Sequence, residues 1–420
     1  MVKTISLFFK KIKKLDIKVL IKLMTSGLIA GLIPLLFEPY FKSIYSPQDF
    51  GKYDVFLKIL AIMIPVLTLK SEIIILSTDI ASSFQKWFNS LCIIIINSLL
   101  FLFFLLLVSF FFEIEILRTL MLSLIGAFEF SVILISVNTL IKMNKSTLVS
   151  FQKPIRRISE LIVLLIISIF LVNSFSLIIS SLIGLLFAMI FSVKCVLMSV
   201  SGYKLKFGLR TLINSAKETK NILLSEVINT VSFSFLSVFI YYNYSATESG
   251  LMELSNKIVS IPQVLFCGFI AIVIQNKLSN IVNENKSIIT YVKGYLYLLT
   301  FISLMSCIII FFVAGYAIQS LFTEDWLGSI SFVNILLIQL SIFIVFSPLS
   351  RVLYSLKAYR SYRNWQIIKS LLIILTMLFY ELSLYSFLLI YSTTTALAYL
   401  LLIIFLVKEI KIYESSILKI

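Results

Sequence analysis

Ionisable side chains inside long apolar runs are where this sequence could do chemistry, because each costs about 2.5 to 3.5 kcal/mol to place at the centre of a bilayer. Glu129 is the sharpest of them. It stands near the middle of an apolar run over residues 119–141, with apolar or small residues on both sides. A carboxylate at that depth serves as an ion or proton site, forms half of a buried ion pair, for which Lys58 is a partner at similar depth, or is simply tolerated as a neutral acid. Lys58 lies roughly 9 Å below the outer end of the run 52–76 at 1.5 Å per residue, and Lys257 holds the corresponding place after Gly250. Two such lysines on a shared cavity would suit a phosphate-bearing ligand, although snorkelling to the headgroups accounts for them equally well. Lys22, and Lys70 with Glu72, lie closer to the opposite interface, where snorkelling or a local pair explains them. Glu160 and Glu226 stand one turn into their runs, where negative charge suits a helix N terminus.

The usual catalytic sets are missing. The chain contains no histidine, which removes imidazole as proton carrier, metal ligand or general base. It shows no phosphate-binding loop and no HExxH pattern. Cys92, Cys195, Cys267 and Cys307 all sit in apolar runs without metal-ligand spacing, so they read as small hydrophobes. No enzyme activity, cofactor or metal is expected.

The elements that must position these charges follow from composition. With 60% hydrophobic and 13% charged residues and a mean hydropathy of +1.06, the 420-residue chain has more apolar surface than a soluble fold could hide, in runs long enough to span a bilayer. The expected fold is an all-α polytopic membrane protein of twelve transmembrane helices in two pseudo-symmetric six-helix lobes. The spans fall near 17–37, 52–76, 87–112, 119–141, 158–173 and 177–197, then 221–243, 256–275, 294–318, 331–350, 367–384 and 386–407. An amphipathic segment 1–16 precedes an N-lobe 17–203. A cytoplasmic linker 204–220, a C-lobe 221–408 and a tail 409–420 follow. Pro34, Pro65, Pro262 and Pro348 interrupt spans and mark candidate kinks.

Duplication is visible in the residues themselves. Tyr45, Ser46, Asp49, Gly51, Lys58 and Ile59 return at one constant offset as Tyr244, Ser245, Glu248, Gly250, Lys257 and Ile258, while the closing proline slips from Pro65 to Pro262. A tyrosine, acid, glycine and lysine in fixed register point to a repeated unit. Six spans per copy give both copies one orientation. Lysine and arginine concentrate at the N terminus and in alternate connections, including Lys142 to Arg157 and Lys204 to Lys220, while Glu38, Asp49, Glu113, Glu115, Glu248, Glu324 and Asp325 mark the other face. The positive-inside rule then puts both termini in the cytoplasm. The formal charge of +16 reads as this asymmetry, and no nucleic-acid partner is expected. Trp87, Trp326 and Trp365 fall at span ends, as an aromatic belt would place them.

The run Gly27 to Leu36, then Pro39, Lys42 and Tyr45-Ser46-Pro47-Gln48-Asp49-Phe50-Gly51-Lys52-Tyr53, resembles the opening of Wzx-type O-antigen and polysaccharide flippases. Leu69-Lys70-Ser71-Glu72 is similar to their Leu-Arg-Tyr-Glu element, with lysine for arginine and serine for the aromatic residue. Gly250 to Pro262 is similar to their glycine-to-basic run ending in proline. The resemblance implies the multidrug/oligosaccharidyl-lipid/polysaccharide (MOP) exporter fold, working by alternating access in the bacterial inner membrane. It implies an undecaprenyl-pyrophosphate-linked oligosaccharide as substrate, membrane lipids around the chain, and a polysaccharide polymerase and chain-length regulator as candidate partners. The competing readings are a cation-coupled multidrug exporter of the same superfamily and a polysaccharide polymerase or ligase. The second of these needs a large outer loop that the span pattern does not leave room for.

The charge asymmetry predicts that residues 45–49 face outward and that 204–220 face the cytoplasm. With the four native cysteines replaced, Gln48→Cys should react with an impermeant thiol reagent on intact cells and Leu212→Cys only after permeabilisation. The opposite pattern would invert the topology.

Overall fold

A computed structural model describes residues 36–77, 80–109, 113–143, 145–199 and 209–417. Helices make up almost all of it, and no strand occurs among the described residues. The chain divides into two compact units, one of residues 1–45 and 56–227 and the other of Ser46–Val55 with Ile228–Ile420.

In the first unit, a helix over described residues 36–44 (α1) leads into α2 (Pro47–Thr68), whose opening turns belong to the second unit. Short α3 (Ser71–Ser77), α4 (Ile80–Val108), α5 (Ile114–Lys142), α6 (Ser146–Ser168) and α7 (Ser174–Ser199) follow. Its core gathers Ile75, Phe84, Trp87, Ile94, Val132, Ile135 and Val196. Helix α7 buries a face of Ser176, Ser180, Ser181, Gly184, Ala188 and Ser192, and small residues of this kind let helix backbones approach inside a membrane. A Cβ at Gly184 would stand 2.8 Å from the Glu160 Cβ and 3.0 Å from the Arg156 carbonyl oxygen, which shows how closely α6 packs there. The opposite extreme is α4, where Leu99, Leu100, Phe103, Phe104, Leu106 and Leu107 are exposed, the surface a lipid-facing helix presents.

The second unit holds the rest of α8 (Leu209–Asn243), then α9 (Ala246–Pro262), a π-helical turn at Gln263–Cys267, α10 (Gly268–Asn283) and α11 (Ile289–Leu321). It closes with α12 (Ser329–Leu349), short α13 (Arg351–Ser355), α14 (Tyr359–Leu375), α15 (Leu384–Leu400) and α16 (Leu402–Ile417). Its core is built on Ile274, Leu278, Leu299, Val345, Phe346, Trp365, Tyr399 and Leu402.

Six helices among the described residues are long and apolar enough to cross a membrane: Ser82–Leu107, Ile114–Lys142, Ser174–Ser199, Ile289–Leu321, Glu324–Ser355 and Leu384–Ile417. The chain is therefore a multi-pass membrane protein. Other expected spans fall short for visible reasons. The expected 52–76 is interrupted where Leu69 (φ 47°) and Lys70 (φ 57°) adopt the left-handed conformation, and 256–275 is interrupted by the π turn that follows Pro262. Residues 209–220, expected within a linker, are helical and continuous with α8. The segment 1–16 and most of the first span lie outside the described residues.

The tryptophans correct the belt reading. Trp87, Trp326 and Trp365 are all buried, and packing rather than headgroup contact explains their positions. Trp87 stacks on Phe84 at 5.4 Å and donates from Nε1 to Ser136 Oγ at 3.0 Å. Trp365 donates to the Ala398 carbonyl at 3.0 Å.

The interruption between α2 and α3 leaves helix-end carbonyls that need donors. Asn97 Nδ2 of α4 supplies them, donating to the carbonyls of Val66 (3.3 Å) and Leu67 (3.0 Å). Lys70 N–H donates to Thr68 Oγ1, and Asn138 Nδ2 to the Glu72 carbonyl. Asn97→Leu keeps the volume and strands both carbonyls, so it should cost about 1 to 3 kcal/mol, read as a lower melting midpoint in detergent. An unchanged midpoint would mean that the break does not depend on Asn97.

Candidate functional site

The repeated motif builds the same local structure twice. At the start of α2, Ser46 Oγ lies 2.6 Å from Asp49 Oδ2 and accepts the Asp49 N–H, while Ser46 N–H donates to the same carboxylate. That is a capping box with Pro47 at the first helical position, where its missing N–H costs nothing. At the start of α9, Ser245 Oγ accepts the Glu248 N–H at 3.0 Å. The preceding tyrosines act as tethers. The Tyr45 hydroxyl bonds Ser176 Oγ in the first turn of α7 (2.8 Å), and the Tyr244 hydroxyl donates to the Leu382 carbonyl just before α15 (3.0 Å).

Five residues into each helix stands the repeated glycine, and in the second unit the two glycines meet the opposite helix start. A Cβ built on Gly51 would land on the Ala246 carbonyl, and one on Gly250 would land on the Pro47 carbonyl. Pro47 and Ala246 occupy equivalent places in the two copies, so the contact is reciprocal. Only hydrogen at both positions lets the two helix starts lie backbone against backbone.

One turn beyond each glycine the repeat carries a buried acid that the sequence reading passed over, Asp54 in α2 and Glu253 in α9. They share the register of the other matches, which is the signal that would have found them. Each stands four residues before a repeated lysine, the spacing that puts acid and base on one helix face. In α9 the pair is formed, Lys257 Nζ to Glu253 Oε1, with the lysine side chain 39% and the glutamate 4% exposed. Lys257 also lies 5.6 Å above the Phe50 ring, and Phe50 packs edge-on against buried Trp326 at 5.5 Å. The position equivalent to Phe50 is Ser249, so that ring has no counterpart in the second copy. Pro262 is buried at the end of α9, against the π turn.

Other singled-out residues lie in the first unit. Lys58 is half-buried on α2. Lys70 pairs with buried Glu72 at 3.6 Å. Glu129 is buried on α5, and its Oε2 makes no hydrogen bond. Arg156 of α6 stands nearby, its guanidinium 5.4 Å over the ring of Phe130, the residue next to Glu129. Arg156 was expected only as part of a solvated basic connection. Glu160 pairs with Arg157 at 2.8 Å. Lys22 lies outside the described residues. Among the described residues, no group of His, Cys, Asp and Glu could hold a metal ion.

Residues 44–331 match the polysaccharide biosynthesis protein family, more than half of the chain and with both copies of the motif inside the match. The chain belongs to this family. No curated protein matches the sequence. In structure, this family member is similar to a multidrug resistance MATE family transporter of the MOP superfamily in an inward-facing conformation, over 94% of this chain and 96% of that one, with 13% identity and a TM-score of 0.69. It is also similar to the lipid II flippase MurJ in an inward closed conformation, over 96% and 91%, with 18% identity and a TM-score of 0.67. The chain therefore shares the fold of these two proteins.

Adding a Cβ at either crossing glycine forces one backbone away from the other. Gly51→Ala and Gly250→Ala should each destabilise the protein by about 1 to 3 kcal/mol, the range for overpacking. Gly294→Ala, where a Cβ meets nothing within 4 Å, should leave the melting midpoint nearly unchanged. Equal midpoints for all three would remove the crossing as a constraint.

Proposed function

We propose that this protein is a flippase that carries undecaprenyl-pyrophosphate-linked oligosaccharide, the repeat unit of an O-antigen or other surface polysaccharide, from the inner to the outer leaflet. The observation that carries this reading is the combination of a polysaccharide biosynthesis family match with a transporter fold. A polysaccharide protein built as a transporter has translocation of the lipid-linked intermediate as its natural task. It works by alternating access of two six-helix lobes in the bacterial inner membrane, with both termini cytoplasmic, and it forms no covalent intermediate. A polymerase and a chain-length regulator are its expected partners in lipopolysaccharide or capsule assembly.

Within this reading Lys257 recognises the pyrophosphate. It combines partial exposure with a charge partner, Glu253, so a phosphate oxygen exchanges for a carboxylate oxygen without stranding the ammonium in apolar surroundings. Lys58 plays the same part from α2, with Lys70 nearer the entry side. Glu129 supplies the coupling charge, since without histidine any proton carried across must ride on carboxylates.

A multidrug exporter is the second reading, and the buried acids favour it, because Asp54, Glu72, Glu129 and Glu253 would suit an organic cation. Charge-changing variants separate the two. At equal expression, Lys257→Ala should reduce surface polysaccharide at least about tenfold, the loss of one charge-assisted contact of about 1.5 kcal/mol, and Lys257→Arg should retain most of it. Lys257→Ala with Glu253→Gln should recover stability but not export. Glu129→Gln should abolish export while leaving the fold intact, because it mimics the protonated carboxyl. Normal polysaccharide in Lys257→Ala and Lys58→Ala, together with lost drug resistance, would favour the exporter.

A further inference from the structure

Lys369 follows the basic residues Arg351, Lys357, Arg360 and Arg363 and falls near the start of the expected span 367–384, and it is 2% exposed. Its Nζ donates to Asn229 Oδ1 at 2.7 Å. Three aromatic faces surround the same nitrogen, Phe233 at 4.8 Å, Trp365 at 5.1 Å and Tyr399 at 5.3 Å to the ring centroids. These groups come from three helices of the second unit. Asn229 and Phe233 lie one turn apart on α8, Trp365 and Lys369 one turn apart on α14, and Tyr399 lies on α15.

The walls are fixed by contacts of their own. Trp365 is held by its bond to the Ala398 carbonyl. Tyr399 packs edge-on against both Trp365 (5.7 Å) and Phe343 (5.1 Å). Aromatic faces with one amide oxygen form the surroundings that attract an ammonium ion, through the ring quadrupoles and one directional acceptor, and they strengthen as water is excluded. An aliphatic side chain would fill the volume and leave the amide oxygen without a donor.

We propose that the second unit contains a built ammonium site whose occupant is its own side chain, with the Lys369 ε-ammonium serving as a tethered ligand that fastens α8, α14 and α15 together. The class of free ligand it would take is a small primary ammonium. With the lysine in place the site is filled from within. This inference does not depend on the flippase reading, because it concerns the cohesion of one unit and is read by stability rather than by transport.

The test uses the full-length protein in detergent, following the melting midpoint in methylammonium chloride against N-methylglucamine chloride at equal ionic strength. Lys369→Ala should melt several degrees below the parent, and methylammonium should raise that midpoint in a saturable way. The parent and Lys369→Met should not respond, since their sites are filled. A Lys369→Ala protein indifferent to methylammonium, or a parent that responds equally, would overturn the proposal. Should Lys369→Ala fail to accumulate, Asn229→Asp decides. A carboxylate facing the ammonium should keep the midpoint at or above the parent's and well above that of Asn229→Leu, and the reverse order would overturn the site.

Discussion

Two helix starts lie backbone against backbone because Gly51 and Gly250 carry no side chain, and much of the surrounding structure follows from that contact. Close approach requires that both helices begin at a fixed place, which the Ser46/Asp49 and Ser245 caps provide. It also requires that neither start slides, and the Tyr45 and Tyr244 hydroxyls tie the preceding turns to Ser176 and to the Leu382 carbonyl. Cap, tether and glycine form one mechanical unit, so the three appear together in both copies of the motif. The acid and lysine that follow are carried on the same helix faces, and their position is inherited from the crossing.

The second organising constraint is the cost of charge among apolar residues. The structure meets it by pairing close in sequence. Glu38 with Lys42, Lys70 with Glu72, Arg157 with Glu160 and Glu253 with Lys257 are all separated by four residues or fewer. Such pairs form within a single helix or turn and do not depend on how neighbouring helices are placed. Glu129 and Lys369 are different. Arg156 reaches the Phe130 ring beside Glu129 from the next helix, and Lys369 is held by groups from two other helices. These are the charges whose surroundings depend on how helices pack.

The sequence reading reached the membrane class, the duplication and the family, because long apolar runs and a tyrosine, acid, glycine and lysine in fixed register are local signals. Lys257 and Glu129 stand out in the sequence as charges inside apolar runs. The same reading missed Asp54 and Glu253, which sit in the same register but are masked by unlike neighbours such as Phe50 opposite Ser249. Hydropathy joined residues 52–76 into one span because two left-handed residues at Leu69 and Lys70 leave no mark on a hydropathy average. Position along a span likewise put the tryptophans at an interface, whereas burial depends on what neighbouring helices present, such as Ser136 to Trp87. Lys369 was hidden for the same reason. Its cage draws on Asn229, Phe233 and Tyr399, far away in sequence.

A polysaccharide biosynthesis family match on the fold of known transporters supports the proposed translocation of a pyrophosphate-linked sugar, with Lys257, paired to buried Glu253, as its proposed contact. The direct measurement is made on purified protein in vesicles containing undecaprenyl-pyrophosphate-linked oligosaccharide, following its exposure to an impermeant glycan-cleaving enzyme. The protein should expose the inner-leaflet pool well beyond the rate of protein-free vesicles, and Lys257→Ala should slow this exposure more than Lys257→Arg. An inner-leaflet pool as protected as in empty vesicles, with the same protein moving organic cations across the membrane, would contradict it.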